Sequence, residues 1–93
     1  MFRIVTTNRF EKKLKKYTST SPEFREKIYN LLSRLSNNPF DQTLNVHKLK
    51  GKLDNFYSIS CGFDCRIIFT LESNANNEDY LLLIDIGTHD EVY

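Results

Sequence analysis

The 93-residue chain is 40% hydrophobic and 27% charged, with a formal net charge of +1. This composition excludes a disordered or low-complexity segment and implies a single domain over residues 1–93 with a small core. No apolar run approaches the roughly 18–20 residues of a membrane helix, and "MFRIVTTNRF" carries no apolar signal-peptide core, so a cytoplasmic protein without a membrane partner is expected.

In chain order, "FRIVT" is short and β-branched, the pattern of a strand. The period then changes in "TNRFEKKLKKY". Phe10, Leu14 and Tyr17 fall at i, i+4 and i+7, one face of a helix. Asn8 is the expected N-cap, with Glu11 completing a capping box. Lys12, Lys13, Lys15 and Lys16 cover the remaining surface. Ser21 followed by Pro22 starts a second helix, with Phe24, Ile28, Leu31, Leu32 and Leu35 as its apolar stripe. Pro39 ends it by disfavouring helical geometry at Asn38. Beyond residue 40 the period becomes two. "NVHKLKG", "NFYSIS", "DCRIIFTLE" and "DYLLLIDI" read as four strands, with a turn at Gly62 and a loop at "SNANNE". The expectation is an α+β fold of order β-α-α-β-β-β-β. Two antiparallel helices pack on one face of a small twisted, mainly antiparallel sheet.

Charge is unevenly spread. Residues 1–52 carry +8 and residues 53–93 carry −7, so the first half suits an anionic partner. Cys61 and Cys65, four apart in "SCGFDCR", are expected to be free thiols in a reducing compartment. A zinc site shared with His47 and His89 is the less favoured alternative, and no metal or other cofactor is expected.

In "DCRIIFT", Cys65, Ile67 and Phe69 alternate with Asp64, Arg66, Ile68 and Thr70. If the first set packs on the helices, Asp64 and Arg66 share the opposite face. In "VHKLKG", His47 and Leu49 share one face, and Val46, Lys48 and Lys50 the other. His89 and Tyr93 follow the last strand, past Gly87. Each has an ordinary alternative: a charge pair on a solvated sheet, a surface imidazole, a His bonded to a backbone carbonyl, a Tyr covering a sheet edge. As a set they suit metal-independent RNA cleavage. Imidazoles titrate near neutral pH and can move protons. Arg or Lys can stabilise phosphoryl charge, and a Tyr ring can stack on a base. No glycine-rich phosphate loop, H-E-x-x-H or G-x-S-x-G occurs, which leaves nucleotide phosphoryl transfer, zinc proteolysis and serine hydrolysis without support.

The succession "VHKLKG", "FYSISCGFDCRIIF" and "LLLIDIGTHDEVY", after two helices, resembles toxins of bacterial toxin–antitoxin pairs, the RelE/ParE superfamily. It is nearest to the YafQ-type branch. The resemblance implies a ribosome-dependent endoribonuclease that cuts mRNA and is silenced by a cognate antitoxin. It implies that His47, Asp64 and His89 match catalytic positions, that Tyr93 matches a chain-ending aromatic, and that Arg66 is similar to the strand arginine of the RelE-type branch. Ser58 and Ser60 stand where that motif carries a further Asp and His. Lys48, Lys50 and Lys52, with the lysines of the first helix, would then bind ribosomal RNA phosphates. Two other readings fit the same pattern: a ParE-like gyrase inhibitor that cuts nothing, and a non-catalytic RNA- or protein-binding domain.

Overall fold

The computed structural model describes residues 2–49, 55–62 and 64–88. Strand β1 (Arg3–Thr6) is followed by helices α1 (Asn8–Thr18) and α2 (Pro22–Asn37) and a 3-10 turn at Gln42–Leu44. Strands β2 (His47–Lys48), β3 (Phe56–Gly62), β4 (Cys65–Ser73) and β5 (Asp79–Gly87) complete the order. The sheet runs β1-β5-β4-β3-β2. Only the β1–β5 pair is parallel among the described strands; the other neighbours are antiparallel. The expected layers and element order are therefore observed.

The core is formed where the two periodicities meet. Phe10 and Leu14 from α1, with Ile28, Leu32 and Leu35 from α2, pack against Ile59, Ile67, Phe69, Leu81, Leu83 and Ile86 of the sheet. Each such side chain contributes about 1.5–3 kcal/mol when fully buried. Ile59, Ile67 and Ile86 stand opposite one another on β3, β4 and β5, and all three are fully buried.

The second helix starts as expected. Ser21 Oγ accepts the Phe24 N–H at 3.2 Å, with Pro22 in the first turn. Asn38 is extended (φ −159°) before Pro39. The start of α1 differs. Its N-cap is Thr7, not Asn8, and Thr7 Oγ1 accepts the Phe10 N–H at 3.1 Å. Asn8 is displaced because Thr7 is already held by β5. Its backbone N–H donates to the Leu83 carbonyl at 3.2 Å, and its hydroxyl proton faces the Leu83 and Ile84 carbonyls, each at 3.1 Å.

The β3–β4 connection corrects two further expectations. Strand β4 begins at Cys65, and Asp64 lies in the turn with φ +52°. Gly62 has φ +142°, which glycine adopts without the strain an L side chain would meet. The register shifts between Ser60 and Gly62, a bulge that tightens the hairpin. Cys61 and Cys65 are bonded to each other rather than free, because the turn brings their Cα atoms to 5.0 Å, within bridging range. That bond takes both sulfurs out of the alternative zinc set. The "NVHKLKG" strand is shorter than expected. Only His47 and Lys48 form β2, with a further bond from the Leu49 N–H to the Phe56 carbonyl at 2.8 Å. Its expected end at Gly51 lies outside the described residues.

Replacing Thr7 with Ala removes the cap and the side-chain link to β5, and should lower stability by about 1–2 kcal/mol, with Thr7→Ser nearly neutral. Urea unfolding of the three proteins checks this; an unchanged midpoint for the Ala variant would assign the cap elsewhere. Reducing the Cys61–Cys65 bond opens a five-residue loop and should cost about 2 kcal/mol on the chain-entropy model. The urea midpoint with and without a thiol reductant measures it, with mass spectrometry confirming reduction.

Candidate functional site

Because side chains alternate along a strand, the buried isoleucine row dictates what the opposite face carries. In the row on one side of it, His47 is opposite Ser58, Ser58 opposite Ile68, and Ile68 opposite Asp85. In the row on the other side, Ser60 is opposite Arg66 and Arg66 opposite Gly87. Directly paired residues project to the same face, so His47, Ser58, Ser60, Arg66 and Asp85 belong to the face turned away from the helix-side core. Ile68 fits this placement: it is buried yet stands apart from that core cluster.

His47 and Arg66 flank β3 on this face, two strand spacings apart and one row out of step. Their Cα atoms are therefore separated by roughly 12 Å. The Arg66 side chain narrows that gap. Its Nη1 donates to Ser60 Oγ on β3 and to the Cys65 carbonyl, both at 3.1 Å. Ser60 Oγ in turn donates to the Gly62 carbonyl at 3.1 Å. The guanidinium is thus steered toward the His47 side by a serine that sequence reading treated only as a substitution. His47 itself is exposed.

Asp64 is not a strand partner of Arg66. From the turn it lines a hollow of about 300 Å3 with Tyr17, Phe24, Cys65, Gly87 and Thr88. The expected alternation fails there because a left-handed turn residue does not continue the strand's two-residue period. Gly87 pairs with Arg66, so the chain leaves the sheet beside Arg66, two residues before His89. His89, Tyr93, Lys50 and Lys52 lie outside the described residues.

The lysines do not act as one patch. Lys12 and Lys15 are exposed and line a hollow of about 370 Å3 with Glu11, Arg25 and Tyr29. The Lys16 ammonium sits 5.9 Å from the Tyr17 ring centre. Lys13 instead reaches Asp85, with Nζ 2.8 Å from Oδ1, and Arg9 joins it with Nη2 3.3 Å from Oδ2. Sequence reading missed both Arg9 and Asp85. The signals were present: Arg9 and Lys13 are four apart on a helix, and Asp85 is the one acid within "LLLIDI". Lys48 alternates with His47, so it faces the other way and lines a hollow of about 380 Å3 with Phe40, Asp41 and Tyr57.

Residues 2–93 match the model of a family described as the bacterial toxin of type II toxin–antitoxin systems, YafQ. The chain belongs to the YafQ toxin family. Known structures share the YafQ-type fold seen here. The YoeB/ParE toxin from Agrobacterium tumefaciens is 19% identical, with 95% of this chain and 99% of that chain covered and a TM-score of 0.80. A metal-bound toxin from Helicobacter pylori is 24% identical, with both chains covered completely and a TM-score of 0.78. A chain of the E. coli DinJ–YafQ toxin–antitoxin complex is 19% identical, with 99% of this chain and 97% of that chain covered and a TM-score of 0.75. At such identities the likeness is one of fold. No curated protein sequence shows significant similarity to this YafQ-family chain. Among the described residues, no helix is long and apolar enough to cross a membrane.

At the rim of the Lys48 hollow, the Asp41 carboxyl is held below the usual carboxylate range. The Thr43 backbone N–H is the largest cause and the Thr43 hydroxyl the next; desolvation opposes them, and the Arg34 charge adds to them. The two Thr43 bonds are 2.9 and 2.8 Å. A depressed folded pKa stabilises above the unfolded value of about 3.9, and the gain is lost as pH falls through the lower folded value. Asp41→Asn should therefore destabilise at pH 7, and its effect should begin to fade only below about pH 4 and vanish once the pH has passed the lower folded value. Urea midpoints across that range check it; a cost independent of pH would mean the carboxylate charge is not its source.

Proposed function

We propose that this toxin is a ribosome-dependent endoribonuclease that cleaves mRNA by metal-independent acid–base transesterification. In this reading residues 1–93 act as one toxin domain in the cytoplasm, silenced by a cognate antitoxin. The observation that carries it is the shared sheet face of His47 and Arg66, with β5 ending at Gly87 opposite Arg66. Membership of the YafQ family supports the toxin part, and the DinJ–YafQ complex supports an antitoxin partner by analogy.

The chemistry runs as follows. One imidazole, of His47 or His89, takes the proton from a 2′-hydroxyl. That oxygen attacks the adjacent phosphorus, and the bond from phosphorus to the 5′-oxygen breaks. The other imidazole gives a proton to the leaving oxygen. The products are a 2′,3′-cyclic phosphate and a 5′-hydroxyl. Arg66, pre-oriented by Ser60, offers its remaining N–H groups to the phosphoryl oxygens as charge builds. Asp64 shares its hollow with Thr88, the residue before His89, which suits it to orient that imidazole. Tyr93 stacks on a base. Lys12, Lys15 and Lys16, with Lys48, Lys50 and Lys52, contact ribosomal RNA phosphates. Such contacts weaken as salt rises. Lys13 is the weaker candidate for ribosomal RNA, since Asp85 already holds it.

Incubation with translating ribosomes, followed by mapping of RNA ends, tests this reading. Cleavage leaving 5′-hydroxyl ends is expected, with His47→Ala or Arg66→Ala reducing the rate by about 100-fold or more. Intact transcripts together with lost DNA supercoiling would replace it with the gyrase-inhibitor reading. Intact transcripts without growth arrest would favour a non-catalytic binding domain.

A further inference from the structure

The helix-free face carries a second cationic centre that the scheme above does not use. Asp85 is nearly buried in a strand that is otherwise apolar around it, and its side chain is 10% exposed. It meets three groups: the Lys13 ammonium at 2.8 Å, the Arg9 guanidinium at 3.3 Å and the Ile86 N–H at 2.9 Å. The two cations outweigh the one carboxylate, so the cluster has a residual charge of +1. They reach it because β1 stops pairing with β5 at Thr6 opposite Leu83, and α1 takes over beside the remainder of β5. Phe10 and Leu14 of α1 enter the core; Arg9 and Lys13, each one residue earlier, turn toward the other face.

The position matters more than the charge. Asp85 is two residues from Gly87, the partner of Arg66, so Asp85 and Arg66 are diagonal neighbours about 7–8 Å apart across β4 and β5. Arg66 and the Arg9–Lys13 pair therefore share a single face, the Arg66 guanidinium leaning toward β3 and the α1 cations reaching in over β5. They also differ in accessibility. The Lys13 side chain is 20% exposed, but that of Arg9 is 66% exposed. Among the described residues Arg9 is anchored through Nη2, and two-thirds of its side chain is open to solvent. A planar guanidinium fork matches the oxygens of a phosphate, and anchoring it beforehand leaves less freedom to lose on binding.

We propose that Arg9, backed by Lys13 and oriented by Asp85, is a phosphodiester-binding subsite on the sheet face of Arg66 that holds an RNA phosphate flanking the scissile one. This rests on the ribonuclease reading for the identity of the scissile phosphate; the subsite itself is a separate claim about binding. Asp85 acts as a positioning residue, and Arg9 makes the contact. Lys13, largely occupied by Asp85, contributes field rather than a direct bond.

The test uses the full chain and a short single-stranded RNA in which every 2′-hydroxyl is methylated, so that it binds but cannot be cut. Affinity is measured over a range of salt concentrations for the unaltered protein, Arg9→Ala, Arg9→Lys and Arg25→Ala. Arg25 is an exposed cation on α2 and controls for the loss of one charge. Arg9→Ala should weaken binding about tenfold and reduce the log–log salt slope by about 0.7. Arg9→Lys should retain the slope while losing part of the affinity, and Arg25→Ala should change neither appreciably. Since Arg9 is two-thirds exposed, its loss leaves folding nearly intact, and urea midpoints verify this. Equal losses in Arg9→Ala and Arg25→Ala, or no binding by the unaltered chain, would overturn the subsite. Cleavage on ribosomes, read separately, distinguishes the claims. Cutting with Arg9-independent binding removes the subsite alone; Arg9-dependent binding without cutting removes the nuclease reading alone.

Discussion

Ile59, Ile67 and Ile86 are aligned across three neighbouring strands and wholly buried beneath the helices. With a side-chain period of two, that alignment assigns every neighbouring residue to a face. A slip of one residue in β4 would bring Arg66 and Ile68 under the helices and expose Ile67 and Phe69. The cost would be several buried apolar side chains together with a guanidinium in an apolar layer, so the register is strongly enforced. The positions of His47, Ser60, Arg66 and Asp85 on one surface follow from how the core packs. No attraction among those polar residues is needed to bring them there.

The bulge between Ile68 and Phe69 refines this arrangement. One extra residue, Ile84, is accommodated in β5 between Leu83 and Asp85, which are opposite Phe69 and Ile68 respectively. Without it, the alternation that buries Leu81 and Leu83 would continue and turn Asp85 toward the helices. The bulge lets one strand bury Leu83 and Ile86 while presenting Asp85 to the cations of α1. A local irregularity thereby converts what would be a buried, unpaired carboxylate into the centre of a cationic cluster.

Much of the architecture was legible because it rests on periodicity and on local stereochemistry. The switch from a helical to a two-residue period after residue 40, the Ser21–Pro22 start and the Pro39 stop all act over a few neighbours. What escaped prediction depends on distant chain. Thr7 replaces Asn8 as the cap only because β5 offers it carbonyls. The disulfide is the local exception: it reflects a bulged hairpin turn that brings together two cysteines four residues apart. The candidate site divides the same way. His47 and Arg66 could be placed on faces by alternation. Asp64 could not, because the strand begins one residue later than its pattern suggests and leaves Asp64 in the turn. Arg9 and Asp85 could not be paired without knowing that α1 lies alongside β5.

The parallel pairing of β1 with β5 joins residues 3–6 to residues 80–83. Strand β1 can therefore find its neighbour only after residues 80–83 have been made, and until then β4 too lacks one of its flanking strands. Before β5 is made the chain has its helices and their lysines but no finished sheet, and so no single face shared by Arg66 and the α1 cations. The topology works as a built-in delay. A product cut short before β5 cannot complete this sheet.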